Sequence, residues 1–400
     1  MAALFLAPVY ILVNVYIVRW IFKWMGACNY LFQSTWFQVI FAGIYIFLAS
    51  SLLTGFLIKN PRRLHTFLKN TGNYFLGIFM YILMTVGIVD LCRLILKYLF
   101  HASWIESRMA FVITGCICSL FIITISAYGI IHTWKLKVTS YHVSVNKKVS
   151  NTSGIKIVLL ADMHFGQNVS HLHAKQMVKK INALKPDLVC IAGDVFDNDY
   201  DSIGYPEKVV KYLRRIQSVY GTYACWGNHD LNEPILAGFT FKGGKKDLLD
   251  DRMEHLLKDA GIHLLEDEAV LVDDKFYIVG RNDAERSKKL NFRRLTPAQL
   301  TQNLNQSKPI IFIDHQPKEL QEIADAGADL DLCGHTHNGQ MFPGNLTIHL
   351  FWKNACGYLK KDRLHNIVTS GAGVWGPNMR IGTDNEICLI QVDFASKINS

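Results

Sequence analysis

Seven side chains that can bind metal ions stand directly after apolar runs of this sequence. Each run, such as 155–161 and 309–313, is typical of a buried strand in an α/β sheet. In open α/β sheets, ligands bind at the carboxyl ends of the strands. The runs therefore predict one shared pocket, which contains Asp162, His164, Asp194, Asn228, His315, His335 and His337.

These side chains are carboxylates, one amide and imidazoles, without a thiolate. They exceed the ligand number of a single tetrahedral zinc ion and suit two ions that share one carboxylate. The mixture favours manganese, iron or zinc. Two such ions can bind both oxygens of an in-line phosphoryl displacement, so the set predicts hydrolysis of a phosphoester or pyrophosphate. The alternative is a group of polar side chains that are only hydrogen-bonded at strand ends.

The order of these motifs resembles that of the calcineurin-like metallophosphoesterases. The motifs are Asp-x-His at 162–164, Gly-Asp-x-x-Asp at 193–197, Gly-Asn-His-Asp at 227–230, a histidine at 315 and Gly-His-Thr-His at 334–337. The resemblance covers about residues 155–395 and is strongest to the membrane-associated bacterial branch. That branch usually continues the last motif as Gly-Gly-Gln. This chain has Asn338 at the first of these positions, where asparagine tolerates a left-handed backbone.

The resemblance implies a role for each residue. One metal ion would be held by Asp162, His164, Asp194 and His337, and the other by Asp194, Asn228, His315 and His335. Asp194 would therefore bridge the two ions. His229 would protonate the leaving oxygen or stabilise the phosphoryl charge, and Asp197 would orient this histidine. A helix or turn cap is the alternative role for Asp197.

Two arginines are candidates for contacts with the substrate phosphate. Arg281 follows two strands predicted at 268–280. Arg380 lies beyond a Gly-rich turn at 370–377, which resembles the loop that closes the pocket in relatives. Arginine suits phosphate because its planar group presents several donors in a fixed geometry. The alternative for each is a solvated or ion-paired arginine.

The part of the chain around these motifs is predicted to be an α/β domain over 154–396. Strands alternate with helical stretches, including 171–184 and 206–217, as in βαβ units. The family resemblance implies a β-sandwich flanked by helices. The polar stretch 132–153 is predicted to be a linker, although its alternation also allows an edge strand.

Residues 1–131 have a different composition and predict an all-α region of four transmembrane helices, at about 3–22, 36–58, 72–91 and 109–131. This part has nine Lys or Arg residues and only two acids, Asp90 and Glu106. Because the basic excess lies beside membrane spans, we expect a lipid bilayer as partner and no nucleic acid. Buried helices of a soluble fold are the alternative.

The sequence thus predicts a multi-pass hydrolase of the cell (inner) membrane. Eight Lys or Arg residues flank the spans on the side of the α/β domain and five on the other, which favours a cytoplasmic domain. Nine cysteines without disulfide spacing agree with a reducing compartment. The membrane anchor makes a lipid-linked substrate attractive, and the resemblance to relatives that cleave UDP-diacylglucosamine implies one example of such a substrate. The alternative is a catalytically silent membrane scaffold or signalling protein, although every expected ligand is present.

Overall fold

The computed structural model describes residues 2–236, 239–240 and 248–395, which form two compact units. The helices are α1 (Ala2–Cys28), α2 (Thr35–Leu57), α3 (Arg62–Tyr98), α4 (Arg108–His132), α5 (His171–Leu184), α6 (Pro206–Leu213), α7 (Asp251–Asp259), α8 (Ala284–Leu290), α9 (Pro297–Thr301), α10 (Leu320–Asp325) and α11 (Gly344–Thr347). The strands are β1 (Leu136–Val145), β2 (Gly154–Leu160), β3 (Leu188–Ala192), β4 (Thr222–Cys225), β5 (Ile235–Leu236), β6 (Phe239–Thr240), β7 (His263–Leu264), β8 (Glu268–Val272), β9 (Phe276–Gly280), β10 (Ile310–Ile313), β11 (Leu330–Cys333), β12 (Gly357–Lys361), β13 (Leu364–Val368) and β14 (Asn385–Phe394).

The first unit contains the four predicted apolar helices, and each is long and apolar enough to cross a membrane. Helix α3 is longer than the predicted 72–91, because it has 37 residues. At 1.5 Å per residue it spans about 55 Å, whereas the hydrocarbon core of a bilayer is roughly 30 Å thick. Hydropathy identifies only the apolar part of such a helix, and the polar first turns around Arg62 and Arg63 extend beyond it.

The second unit is built on two six-stranded sheets. The strand orders are β1-β14-β2-β3-β4-β7 and β12-β13-β11-β10-β9-β8. A buried apolar cluster joins the facing sides of the sheets, with Ile157 and Leu159 from one and Ile311, Ile313 and Leu330 from the other. This arrangement confirms the predicted β-sandwich.

Helices cover the outer face of each sheet. Met177 and Ile181 of α5, together with Val209 of α6, pack in a cluster with the first sheet, and Ile323 of α10 packs against the second. Helix α5 confirms the prediction for 171–184 at both ends, whereas α6 is shorter than the predicted 206–217. The two strands predicted at 268–280 are β8 and β9.

The structure differs from the predicted linker at 132–153, because this stretch contains the ten-residue strand β1. Strand β1 pairs in parallel with β14, from Leu136 opposite Asn385 to Val145 opposite Phe394. The alternating pattern arises because one side of this edge strand faces the core, where Val143 and Val145 are buried. Residue 396, the predicted end of the domain, lies outside the described residues.

Parallel pairing brings the predicted site residues to one edge of the sandwich. Strands β2, β3 and β4 run parallel in the first sheet, and β9, β10, β11 and β13 run parallel in the second. The carboxyl ends of the central strands therefore open onto the loops that carry the polar motifs.

Candidate dinuclear metal centre

All seven predicted ligands lie in loops that leave strand ends, and the structure brings them together. Asp162 and His164 follow β2, Asp194 follows β3 and Asn228 follows β4. His315 follows β10, and both His335 and His337 follow β11. Apart from His335, which is half-buried, these side chains are buried, so water does not satisfy most of their polar atoms.

The first ligand cluster contains Asp162, His164 and His337, whose ligand atoms lie within 4.8 Å of one another. Nε2 of His164 lies 3.0 Å from Nε2 of His337. The same nitrogen of His337 lies 3.6 Å from Oδ1 of Asp162. Three ligand atoms therefore point at one small volume.

The second ligand cluster contains Asp194, His315 and His335, with Asn228 beside them. Oδ1 of Asn228 lies 3.1 Å from Nε2 of His315 and 2.9 Å from Nδ1 of His335. Oδ2 of Asp194 lies 3.1 Å from Nε2 of His315.

Asp194 faces both ligand clusters. The Oδ2 atom that approaches His315 also lies 3.8 Å from Nε2 of His164 in the first cluster. Its other oxygen, Oδ1, accepts a hydrogen bond of 2.8 Å from the backbone N–H of His229. One carboxylate is thus held between two groups of ligands.

The donors fit divalent metal ions better than they fit one another. In the second cluster an amide oxygen and two imidazole nitrogens converge, and each of these atoms can offer a lone pair to a metal ion. Among the described residues, the buried Nδ1 of His164 has no hydrogen-bond partner. Oxygen and imidazole donors without thiolate are the set expected for manganese, iron or zinc.

The backbone at the site is held in the left-handed region, which residues other than glycine rarely adopt. The φ angles are 52° for Asp162, 48° for His164, 50° for Asp194, 73° for His335 and 50° for His337. Local hydrogen bonds compensate, because the N–H of His335 donates to both oxygens of Asp162, at 3.0 and 2.9 Å. Backbone strain of this kind is concentrated at functional sites.

Glycine is required where the Gly-Asn-His-Asp loop passes over the carboxylate of Asp194. A Cβ atom on Gly227 would lie 2.1 Å from Oδ1 of Asp194 and 2.4 Å from its backbone nitrogen. No side chain fits that space. The neighbouring Asp230 joins the two loops, because it accepts hydrogen bonds from the N–H groups of Gly227 at 2.7 Å and Phe196 at 2.9 Å.

Burial sets the charge of most groups at the centre. It lowers the pKa of His164 to about 3 and the pKa of His335 and His337 well below the ordinary value, so these rings are neutral, as metal ligands must be. Burial acts to raise the pKa of Asp194, but the nearby His315 and His229 hold it well below its ordinary value. Asp194, which faces both ligand clusters, is therefore ionised.

Comparison with known proteins agrees with this geometry. Residues 155–339 match the family model of the calcineurin-like phosphoesterases. The chain carries a calcineurin-like phosphoesterase domain. An uncharacterised metallophosphoesterase of Campylobacter jejuni is 28% identical over 95% of each chain.

Two further relatives each match more than half of the chain. A transmembrane protein with a metallophosphoesterase domain from Danio rerio is 27% identical over 72% of this chain and 63% of its own. The UDP-2,3-diacylglucosamine pyrophosphatase of Chlamydia trachomatis is 22% identical over 64% of this chain and 89% of its own.

In the phosphoesterase domain, His229 lies beside the first ligand cluster, with its ring centroid 5.2 Å from that of His164. Its Nδ1 is hydrogen-bonded to Oδ1 of Asn198, a residue that the sequence analysis did not select. The predicted partner Asp197 lies within 4.8 Å of ligand atoms of both His164 and His229, and its Oδ1 is 3.8 Å from Nδ1 of His164. The ring of Trp375 lies on another side of His229, at 5.6 Å.

Asn338, which departs from the usual family motif, adopts a left-handed conformation, which glycine adopts readily. Its φ is 50° and its ψ is 35°, within the left-handed region that asparagine tolerates. The loop after β11 therefore keeps its turn with this substitution.

The structure gives Arg281 a different place from the predicted phosphate contact. Its side chain is buried and forms an ion pair with Asp314 at 3.1 Å, and its other terminal nitrogen is bonded to Glu319. Asp314 also pairs with Arg294 at 2.9 Å. Arg281 is thus ion-paired with Asp314, the residue that directly precedes His315, as in the alternative of a paired arginine.

Arg380 is also buried, and its donors are used within the protein. The guanidinium donates to the carbonyl oxygens of His337 at 2.9 Å, Ser370 at 2.6 Å and Gly373 at 2.8 Å. Its Nε donates to Asn385 at 2.8 Å. Arg380 therefore joins the loop of His337 to the Gly-rich loop, which differs from the predicted contact with phosphate. The sequence could not reveal this, because the acceptors from both loops are backbone carbonyl oxygens.

Proposed function

We propose that this chain is a membrane-anchored hydrolase that uses two divalent metal ions to cleave a phosphoester or pyrophosphate bond. The observation that carries the proposal is the position of Asp194, whose Oδ2 faces ligands of both clusters. A carboxylate shared by two sets of oxygen and nitrogen donors suits a two-metal phosphoesterase.

The ligand sets follow from the two clusters. Asp162, His164, Asp194 and His337 would hold one ion, and Asp194, Asn228, His315 and His335 would hold the other. When bound, two such ions supply Lewis acidity at the phosphoryl group and at the attacking and leaving oxygens. The donor set supports manganese, iron or zinc.

His229 is proposed to deliver a proton to the leaving oxygen. Its Nδ1 is occupied by the side-chain oxygen of Asn198, so Nε2 remains for proton exchange with the substrate. Asp197 is proposed to orient the ring of His229. A carboxylate oxygen of Asp197 lies within 4.8 Å of ring nitrogens of both His164 and His229. Trp375 packs beside His229 and limits the movement of its ring.

The proposed substrate is lipid-linked, and the proposed location is the cell (inner) membrane with the phosphoesterase domain on the cytoplasmic side. The four apolar helices and the Danio rerio relative support a membrane protein. The Chlamydia trachomatis relative is named for pyrophosphate cleavage in UDP-2,3-diacylglucosamine, a nucleotide-linked lipid. The distribution of Lys and Arg around the spans supports the orientation.

The experiment that tests the function combines metal content with turnover. The full-length chain in detergent is loaded with manganese and assayed on an aryl phosphomonoester, an aryl phosphodiester and a nucleotide-lipid pyrophosphate. Asn228→Ala and His229→Ala are compared with His255→Ala, which replaces an exposed histidine on α7. About two metal ions per chain, as in two-metal hydrolases, and turnover lost in the first two variants alone are expected.

Two results would contradict the proposal. Metal binding without turnover on any substrate would favour a catalytically silent scaffold. If the chain binds no metal ion, the assignment of the whole site as a metal centre is wrong. Turnover of soluble nucleotides and phosphodiesters, with the lipid pyrophosphate untouched, would leave the hydrolase and exclude the lipid-linked substrate.

A further inference from the structure

The segment 341–352, directly after the last ligand loop, presents an unusual apolar surface. Its twelve residues contain no Asp, Glu, Lys or Arg. Leu346 is 62% exposed, Leu350 80%, Phe351 77% and Phe342 42%. Leu346 in α11 and Leu350 in the following 3-10 turn are four residues apart, so they lie on one side of the helical stretch. A cluster of large exposed apolar side chains indicates a binding surface.

The first end of the 341–352 segment is fixed beside His337. Residues His337–Gly339 form a short 3-10 turn, and a Cβ atom on Gly339 would lie 2.2 Å from the carbonyl carbon of Gly344. The N–H of Phe342 donates to the carbonyl oxygen of Ile381 at 2.8 Å. This close backbone packing gives the exposed side chains a defined position relative to the first ligand cluster.

The other end of the segment is fixed at the second ligand cluster. The ring of Trp352 meets the ring of His335 edge-on, with centroids 5.0 Å apart. Ala355 lies three residues after Trp352, and its backbone carbonyl oxygen accepts a hydrogen bond from the hydroxyl of Thr336. The segment therefore begins and ends at ligand loops and forms a rim of the metal centre.

Positive charge lies where this rim meets the metal centre. Nζ of Lys318 lies 4.9 Å from the ring centroid of Trp352, and the exposed Lys353 follows that residue. An anionic group of a ligand could lie near these lysines, and an apolar chain of the same ligand could pack along Leu346, Leu350 and Phe351. A phospholipid presents these two features side by side.

The membrane that the apolar helices are long enough to cross would be the source of such lipids. Only three residues separate α4, the last helix that can cross a membrane, from β1. We propose that the 341–352 segment binds the acyl chains of a membrane lipid and thereby holds its phosphate or pyrophosphate group at the metal centre. This inference rests on the proposed function and specifies the substrate as a lipid with at least one long acyl chain.

The test compares lipids that differ only in acyl length. Wild-type chain in detergent micelles hydrolyses an aryl phosphodiester while dioleoyl or dihexanoyl phosphatidic acid is added as inhibitor. We expect dioleoyl phosphatidic acid to inhibit at a concentration at least tenfold lower. The Leu350→Glu/Phe351→Glu double variant should lose this difference and keep its kcat/KM on the aryl ester within about twofold. Leu172→Glu, at a half-exposed leucine of α5, should behave as wild type.

A second readout does not depend on turnover. A phosphatidic acid with a photoreactive group in its acyl chain should cross-link to the 341–353 peptide in wild type and not in the double variant, as located by mass spectrometry. Cross-links found only elsewhere, or turnover with equal inhibition by both lipids, would overturn the inference and leave the proposed function intact. Absence of turnover with bound metal would instead contradict the proposed function.

The remaining occupant to exclude is a second copy of this chain. The mass of the detergent complex is measured by light scattering for wild type and the double variant. An unchanged mass is expected. A dimer that dissociates in the double variant would assign the surface to self-association and overturn the inference.

Discussion

Nδ1 of His229 is hydrogen-bonded to the side-chain oxygen of Asn198, one residue beyond the predicted partner Asp197. The same two residues also meet through their backbones, since the N–H of Asn198 donates to the carbonyl oxygen of His229 at 3.1 Å. Because an amide oxygen only accepts, the contact requires a proton on Nδ1, and the proton delivered to the leaving oxygen would be a second one, carried on Nε2. Asn198 therefore fixes both the orientation and the tautomer of the proposed proton donor.

Replacing Asn198 by alanine should lower kcat about 10–100-fold, the usual effect of losing a group that orients a functional histidine. Metal content per chain should stay unchanged, because Asn198 belongs to neither ligand cluster. The measurement is steady-state turnover on an aryl phosphodiester together with metal analysis of the same sample.

Asn198→Asp is the matched control for this position. Its carboxylate can accept the same hydrogen bond, and aspartate tolerates the φ of 58° that Asn198 adopts. We expect it to restore most of the lost kcat. A full rate in the alanine variant, or metal lost together with the rate, would refute the positioning role.

Replacing Asp194 by alanine should reduce the binding of both metal ions, because its Oδ2 faces both ligand clusters. Replacing His315 removes a ligand of the second cluster only. Metal analysis after dialysis should therefore show Asp194→Ala with markedly less metal than His315→Ala. Equal metal content in the two variants would contradict a shared carboxylate.

The ligands could be predicted from the sequence because strand geometry places them. A short apolar run that ends in Asp, His or Asn indicates a parallel strand with its carboxyl end at a site, and Asp162, Asp194 and Asn228 all follow such runs. The two sheets then bring these strand ends to one edge of the sandwich. Within 132–153 the alternation of side chains only allowed an edge strand beside the predicted linker, and the structure has strand β1 there.

The roles of Arg380 and Asn198 could not be predicted, because they depend on loop conformation. Arg380 binds backbone carbonyl groups from two separate loops, and backbone acceptors leave no pattern in a sequence. Whether Asp197 or Asn198 reaches His229 depends on the left-handed turns at Asp194 and Asn198, with φ of 50° and 58°. A change of one residue in such a loop exchanges the side chain that points to the partner.

Replacing Arg380 by methionine should destabilise the phosphoesterase domain, because three buried carbonyl groups would lose their donor. Each unsatisfied buried acceptor costs about 1–3 kcal/mol. We therefore expect the free energy of unfolding to fall by on the order of 3 kcal/mol or more. Thermal unfolding in detergent should show a clear fall in Tm. Arg293→Met, at an exposed arginine, is the control and should leave Tm unchanged.

His173 in α5 should make stability depend on pH in a region away from the metal centre. Burial lowers the pKa of His173 from 6.5 to about 4. The neutral ring accepts a hydrogen bond of 3.1 Å from the N–H of Ser170 and stacks on Trp134 with centroids 4.0 Å apart. Between these two pKa values the unfolded chain binds more protons than the folded chain, so stability rises with pH across this window.

The contribution of His173 is therefore present above about pH 6.5 and is lost as the pH falls towards 4. Its full size is about 3 kcal/mol, from roughly 1.4 kcal/mol per pKa unit. His173→Gln keeps an acceptor for the N–H of Ser170 but does not titrate. Unfolding of metal-free wild type and variant at pH 7 and pH 4.5 should show a larger fall in Tm for wild type. Because all other titrating groups are common to both proteins, an equal fall would show that His173 is not the group responsible.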